Sequence, residues 1–225
     1  MSGFFTEAFE RMSPEDRESF CKTVFMNDTS DYAKELRQQY YAGVLKHMGE
    51  DVQIGTGVKI VNPQYISLGD HVRIADHVTL IARGPGGITL EDNVRLNDRV
   101  YLDTENAITG YIHVGKRTYI GTGATFFGHQ GLEFGEDCLI GQNVTCTPYS
   151  HIFDDKSRTI YGQGGHCKKV TIGRDVYVGM GVTIMYTGDI GEGSVIGAGA
   201  VVVKPIPEYS IAVGNPARVI RKRGE

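Results

Sequence analysis

The stretch VTCTPYSHIFDD, residues 144–155, gathers the side chains of this 225-residue chain that are best able to do chemistry. His151 carries an imidazole, a group that titrates near neutral pH and can take up a proton and give it back. Such a base needs its second nitrogen held by an acceptor. Asp154 and Asp155 are near in sequence, and a backbone carbonyl would serve equally. Cys146 and Ser150 stand close enough to offer a covalent route, although Cys146 falls on an apolar position of the repeat described below and reads as core. An isolated histidine more often caps a turn than catalyses. Here, however, the strand rhythm breaks at Pro148, just ahead of His151, and a long excursion follows. A second cluster, RVIRKR at 218–223, has the charge to meet phosphate groups; its plainer reading is a solvated end.

Composition limits what these groups can serve. A net charge of -4 and an isoelectric point near 6.0 give no global attraction to nucleic acid or to an anionic membrane, so phosphate binding must rely on a local patch. Cys21, Cys138, Cys146 and Cys167 form no C-x-x-C pair and are expected to be reduced thiols. The opening MSGFFTEAFERM has acids where a secretion signal has bases, and no apolar run approaches the ~18 residues of a membrane span. A cytoplasmic protein is expected. Glycine supplies 30 of 225 residues and tryptophan is absent, which favours many tight corners over helix bundles.

The elements that would position His151 repeat with a period of six. Aliphatic residues fall at Ile54 and Ile60, at Leu68, Ile74 and Leu80, and at Leu90, Leu96 and Leu102. The beat restarts at Val114, Ile120 and Phe126, at Phe134, Ile140 and Cys146, and runs on through Ile172, Val178, Ile184, Ile190, Ile196 and Val202. Six is not a helical spacing. It fits short strands joined by sharp corners, three strands closing a triangular coil of about 18 residues around stacked aliphatics. A small or branched residue precedes most inward positions by two, and glycine follows many of them, which suggests corners with positive φ. Coil starts at 68, 90, 114, 134, 172 and 190 are separated by 22, 24, 20, 38 and 18 residues, so extra chain must loop out at corners. Residues 1–50 read as a helical arm capping the coil. One helix starts at Ser13-Pro14-Glu15-Asp16, and a second starts near DTSDYAKEL and ends near Gly49. Residues 51–204 form the coil with an excursion at 153–169, and 205–225 an extension.

VTIGRDVYVGMGVTIM, IGEGSVIGAGAVV and VGNPARVIRKR resemble the hexapeptide-repeat acyltransferases, with the closest likeness to maltose and galactoside O-acetyltransferases and the sugar O-acetyltransferases of polysaccharide pathways. The resemblance covers about residues 52–223. It implies an all-β, left-handed parallel β-helix, a hand that the general rule for parallel crossovers would not supply. It also implies transfer of an acetyl group from acetyl-coenzyme A to a saccharide hydroxyl, with His151 as the base, in a homotrimer whose sites lie between neighbours. The donor groove would be lined by Tyr177, Gly179, Met180, Ala198, Val203, Lys204, Arg218 and Arg221, with a backbone amide near Gly179 or Met180 meeting the oxyanion. Tyr177 stands where the family has tryptophan and Val203 where it has threonine. The family's sugar-binding asparagine and aspartate fall near Gly121 and near Gly128 or His129. Tyr119, His129, Asp103, Glu105 and Asn106 are therefore the substitutes for meeting a different acceptor.

Three other functions share such a helix. The γ-class carbonic anhydrases bind zinc through histidines that include an H-x-x-x-x-H pair. His71, His77, His113, His129, His151 and His166 contain none, so no metal is expected. A non-catalytic assembly module would leave the break at His151 and the basic cluster unexplained. N-acetylation of an amino sugar, free or nucleotide-linked, is the serious rival, because an imidazole serves amines and alcohols alike.

Overall fold

The computed structural model of the protein describes residues 11–225; the first ten residues of the expected arm lie outside that range. Two helices come first, α1 (Pro14–Asn27) and α2 (Asp31–Val44). Each begins on a serine whose hydroxyl accepts from a first-turn amide, Ser13 from Asp16 and Ser30 from Ala33, satisfying one of the donors a helix start leaves open. The second helix stops at Val44, well before Gly49, because Leu45 turns extended and packs against the coil. Arg37 fixes the arm, donating to the carbonyls of Phe25 and Asp28 and to that of Ile54 on the first coil. Tyr41 and Leu45 bury their side chains with Val52 and Ile54, so the arm covers the open end of the apolar column.

The remainder is a left-handed parallel β-helix of about seven turns. Its first face runs in parallel from His47–Met48 through Ile66–Leu68, Ile88–Leu90, Ile112–Val114 and Leu132–Phe134 to Val170–Ile172. Register aligns Leu68, Leu90, Val114, Phe134 and Ile172, and isolated bridges carry it on to Ile190 and Ile206. The coil starts expected from the sequence are therefore stacked neighbours. The second face runs from Gln53–Ile54 to Ser210–Val213, where the antiparallel strand Arg218–Lys222 closes it, and the third from Lys59–Val61 to Val201–Val202. Inward residues of all three faces form one core, with Phe126 and Phe134 packed edge-on at 5.0 Å. Met48 and Ile60, both on the first turn, are partly exposed.

The glycines that follow inward positions serve a different purpose from the one expected. Gly135 and Gly141 have no positive φ; that conformation belongs to the residue two places later, Asp137 at 60° and Asn143 at 54°. A β-carbon on Gly135 would lie 2.4 Å from the Arg174 nitrogen, and one on Gly141 2.7 Å from the Met180 nitrogen. Those positions are glycine because the next coil's backbone passes where a side chain would begin.

Between Cys146 and Val170 the chain leaves the coil as a hairpin, Tyr149–His151 pairing antiparallel with Gly165–Cys167. His151 thus sits at the base of the excursion, outside the repeat. Gly135→Ala should lower unfolding free energy by on the order of 1–3 kcal/mol by forcing backbone apart. Gly43→Ala, in α2 with nothing within 4 Å of the added carbon, should raise it by up to about 1 kcal/mol; urea titration of both variants distinguishes contact from conformational freedom.

Candidate active site

Beside the hairpin, the outer surface of the third face carries a chain of rings. Tyr101, Phe127, His129, Tyr149 and His151 are in successive contact, with centroids 5.9, 6.2, 5.1 and 4.9 Å apart. The His129 and Tyr149 planes are stacked at 21°, whereas His151 meets Tyr149 edge-on at 84°. Tyr149 and His151, two residues apart on one strand, project to the same side, and the phenol oxygen lies 3.5 Å from His151 Nδ1. Gly165 pairs opposite His151, and a β-carbon there would lie 2.2 Å from the Tyr149 hydroxyl oxygen. Neither nearby aspartate reaches the imidazole. Asp155 accepts from Ser157, and Asp154 makes no hydrogen bond among the described residues.

Behind this chain lies a charged cluster in which the fully buried Asp103 receives the Arg83 guanidinium at 2.9 and 2.7 Å, the Glu105 amide at 2.8 Å and the Tyr101 hydroxyl at 3.1 Å. Burial opposes ionisation of Asp103, but these donors outweigh it and hold the carboxyl below its usual range. Asp103 therefore braces Arg83 rather than offering its own oxygens to an acceptor. Arg83, half-exposed, and Glu105 form the rim. Asn106 spends its side-chain oxygen on the amides of Ile108 and Thr109. His129 has a buried Nδ1 without a partner. Desolvation pushes its pKa down against the pull of Glu105 and Asp103, so the ring is held neutral. Tyr119 stands elsewhere, on the second face in the column that continues through Leu139 to Tyr177, its hydroxyl accepting from Asn97.

Of the residues expected at the donor groove, Tyr177, Gly179, Met180 and Ala198 lie on the second face and its corner with the third, Val203 and Lys204 lie at the following corner in line with Thr147, and Arg218 and Arg221 are on the terminal strand. At the corner between the second and third faces the coil changes character along its length. In early turns an aspartate of the next coil caps each corner amide, Asp76 taking that of Thr56 and Asp98 that of Asp76. Further down the same position holds Thr122, Gln142, Met180 and Ala198, and among the described residues the amides of Met180 and Ala198 have no acceptor. Gly141 and Gly179 lack the β-carbons that would crowd those two nitrogens. The Gly179 amide itself is spent on the Ile196 carbonyl, which leaves Met180 as the open donor of the expected pair. Met180 and Tyr177 are exposed. Val203 follows the last third-face strand and accepts from Thr187 through its carbonyl. Lys204 and Arg218 face no carboxylate within ion-pair distance among the described residues, whereas Arg221 donates to the main-chain oxygens of Lys222 and Glu225 and Arg223 pairs with Asp175. Cys146 is buried in the core and its thiol pKa is driven far up by desolvation, which removes it as a nucleophile. No three His, Cys, Asp or Glu among the described residues are placed to hold a metal.

No family model matches the chain. A protein of Mycobacterium tuberculosis named "probable acetyltransferase" is 31% identical over 175 residues, 76% of this chain and 50% of that protein. The galactoside O-acetyltransferase of Escherichia coli is 35% identical over 113 residues, 49% of this chain and 54% of that enzyme. The chain thus spans about half the length of the curated relatives it matches. Among solved structures, a variant of the Bacillus cereus N-acyltransferase AntD in complex with dTDP and coenzyme A superposes with a TM-score of 0.60 at 21% identity, covering 84% of this chain and 90% of that one. The sequence relatives are acetyltransferases, and the fold is that of the hexapeptide-repeat acyltransferases. Within a hexapeptide-repeat coil, a buried carboxylate bracing an exposed arginine is a local device, and it can be tested as one.

Because the folded pKa of Asp103 is depressed, the stability it contributes is present above the unfolded value of about 4 and is lost as pH falls through the folded value. Arg83→Met should therefore cost on the order of 2 kcal/mol at pH 7. Urea titrations at pH 7 and pH 3.5 should show the gap from the native chain narrowing on acidification.

Proposed function

We propose that the protein transfers an acetyl group from acetyl-coenzyme A to a hydroxyl of a saccharide-type acceptor, with His151 as general base. The observation that carries this reading is the break itself. In a coil whose three faces otherwise stack in parallel register, the hairpin inserted between Cys146 and Val170 lifts an exposed imidazole off the repeat beside a buried, charge-braced cluster. That the relatives carry the name acetyltransferase, one of them for a galactoside acceptor, supports the reaction class.

In the proposed step the acceptor oxygen attacks the thioester carbonyl while its proton passes to His151. The tetrahedral intermediate is met by the Met180 amide. Its collapse expels the coenzyme A sulfur, which takes the proton back from the imidazolium. The pantetheine arm would follow the corner of Met180 and Ala198 past Tyr177, Gly179 and Val203, with Lys204, Arg218 and Arg221 taking the phosphates. His129, with Arg83 and Glu105 at the rim and Asp103 and Asn106 shaping the loop behind them, would form the acceptor wall. Tyr119 lies on the donor-side face, so it would reach an acceptor only from a neighbouring copy. His151 lies beyond the third face and the open Met180 amide at the corner before it, and a homotrimer with sites between subunits would bring the two together. The four free cysteines suit a reducing compartment, the cytoplasm, and no helix among the described residues is long and apolar enough to cross a membrane.

N-acylation of an amino sugar is the second reading, favoured by the shared fold with AntD, an N-acyltransferase solved with dTDP. The test is thiol release from acetyl-coenzyme A across sugars, amino sugars and nucleotide sugars. Acceptor-dependent release should fall by about 100-fold or more in His151→Ala, and a hydroxyl acceptor should outperform its amino counterpart. Release that survives the substitution would remove His151 as the base; an active monomer on sizing would remove the intersubunit site.

A further inference from the structure

Resting on the reading of His151 as the base, we infer that Tyr149 is its positioning residue: the phenol oxygen accepts from His151 Nδ1–H and so leaves the lone pair on Nε2. A base working through Nε2 must carry its own proton on Nδ1 and needs an acceptor there. The two aspartates that follow in sequence do not supply it. Among the described residues the one side-chain oxygen within hydrogen-bond range of Nδ1 is that of Tyr149, at 3.5 Å. That separation is long, as catalytic hydrogen bonds commonly are before a substrate is seated.

Three features of the surroundings hold the phenol where this role requires it. His129 stacks on one face of the Tyr149 ring, 5.1 Å away and nearly parallel. The His151 ring meets Tyr149 edge-on, so rotation of either ring disturbs both. Gly165, on the paired strand, has no positive φ that would call for glycine, yet a β-carbon there would strike the Tyr149 ring and hydroxyl, at 2.2 Å from both Cζ and the oxygen. The glycine is explained by the space that the phenol occupies. Burial of His129 contributes in another way: held neutral against Glu105 and Asp103, it places no positive charge behind the base that must become cationic during the reaction. His129 therefore acts on His151 through Tyr149, in addition to any contact its outer edge makes with an acceptor.

The experiment compares the native chain with Tyr149→Phe, which keeps the ring and its stacking and removes only the oxygen. Two quantities are read: the tautomer of His151, from the nitrogen chemical shifts of 15N-labelled histidine assigned by loss of the signal in His151→Gln, and kcat and KM for acetyl-coenzyme A in the thiol-release assay. The native chain should show His151 protonated at Nδ1. Tyr149→Phe should lose that preference, with kcat lower by about tenfold to 100-fold and the KM for acetyl-coenzyme A unchanged. Gly165→Ala, which displaces the phenol without altering either side chain, should move the tautomer in the same direction. A native His151 protonated at Nε2, or a tautomer unchanged in Tyr149→Phe, overturns the pairing. The tautomer is read without turnover, so absence of activity toward every acceptor would count against the acetyltransferase reading and leave the pairing to be decided by the spectra.

Discussion

The distance between successive coils governs this structure. Parallel strands hydrogen-bond at ~4.8 Å, and a triangular coil must keep that spacing around three corners as well as along three faces. At each corner the backbone of one turn runs over the backbone of the next. Gly135 and Gly141 sit where a single added carbon would meet the neighbouring main chain, and the residue two places later adopts the left-handed conformation that turns the corner. Once the spacing is fixed, the inward residues stack in register whatever their identity, which is why Phe126, Cys146 and Ile184 can succeed one another in a single column.

That constraint also decides where extra chain can go. A residue inserted within a strand would shift every side chain beyond it to the wrong face. Added length must leave and return at a corner, with the strands on either side unchanged. The loops carrying Arg83 and Asn106 do this modestly, and the segment after Cys146 does it with a hairpin of its own. Only at these departures does the repeat release its side chains from a fixed inward or outward role.

The periodic part of this architecture was legible in the sequence, and the contacts between periods were not. The beat from Ile54 to Val202 and the starts at 68, 90, 114, 134 and 172 reappear as core and register, because spacing alone determines both. Glycine after the inward residue was visible, but its cause lies in the backbone of the next coil, at Arg174 for Gly135 and Met180 for Gly141, so positive φ was the wrong inference. The second helix ends at Val44 because Leu45 finds the coil's core, a tertiary contact that no local cap announces. Asp103 looked like an acceptor ligand by position; its oxygens prove to be taken by Arg83, which arrives from the previous turn. The loss of aspartates at the corner after Asp98 was a readable signal for open amides at Met180 and Ala198, intelligible only once Asp76 and Asp98 are seen capping the turns above.

The same spacing that makes the corner glycines obligatory builds the aromatic chain leading to His151. Outward side chains on one face of a parallel coil repeat at the interval between strands, and that interval is close to the separation at which flat rings stack. His129, in the turn after its third-face strand, and Tyr149, on the hairpin strand leaving the next turn, lie 5.1 Å apart, close to the rise between coils. A ring placed above them in the next position would continue the column; the hairpin instead carries the chain outward, and His151 meets Tyr149 by its edge. The regular part of the fold thus supplies a fixed aromatic footing, and the irregular part supplies one imidazole free to approach a substrate. Neither could do so alone, since a histidine on the repeat would be locked in a column and one on a long loop would have no surface to set its orientation.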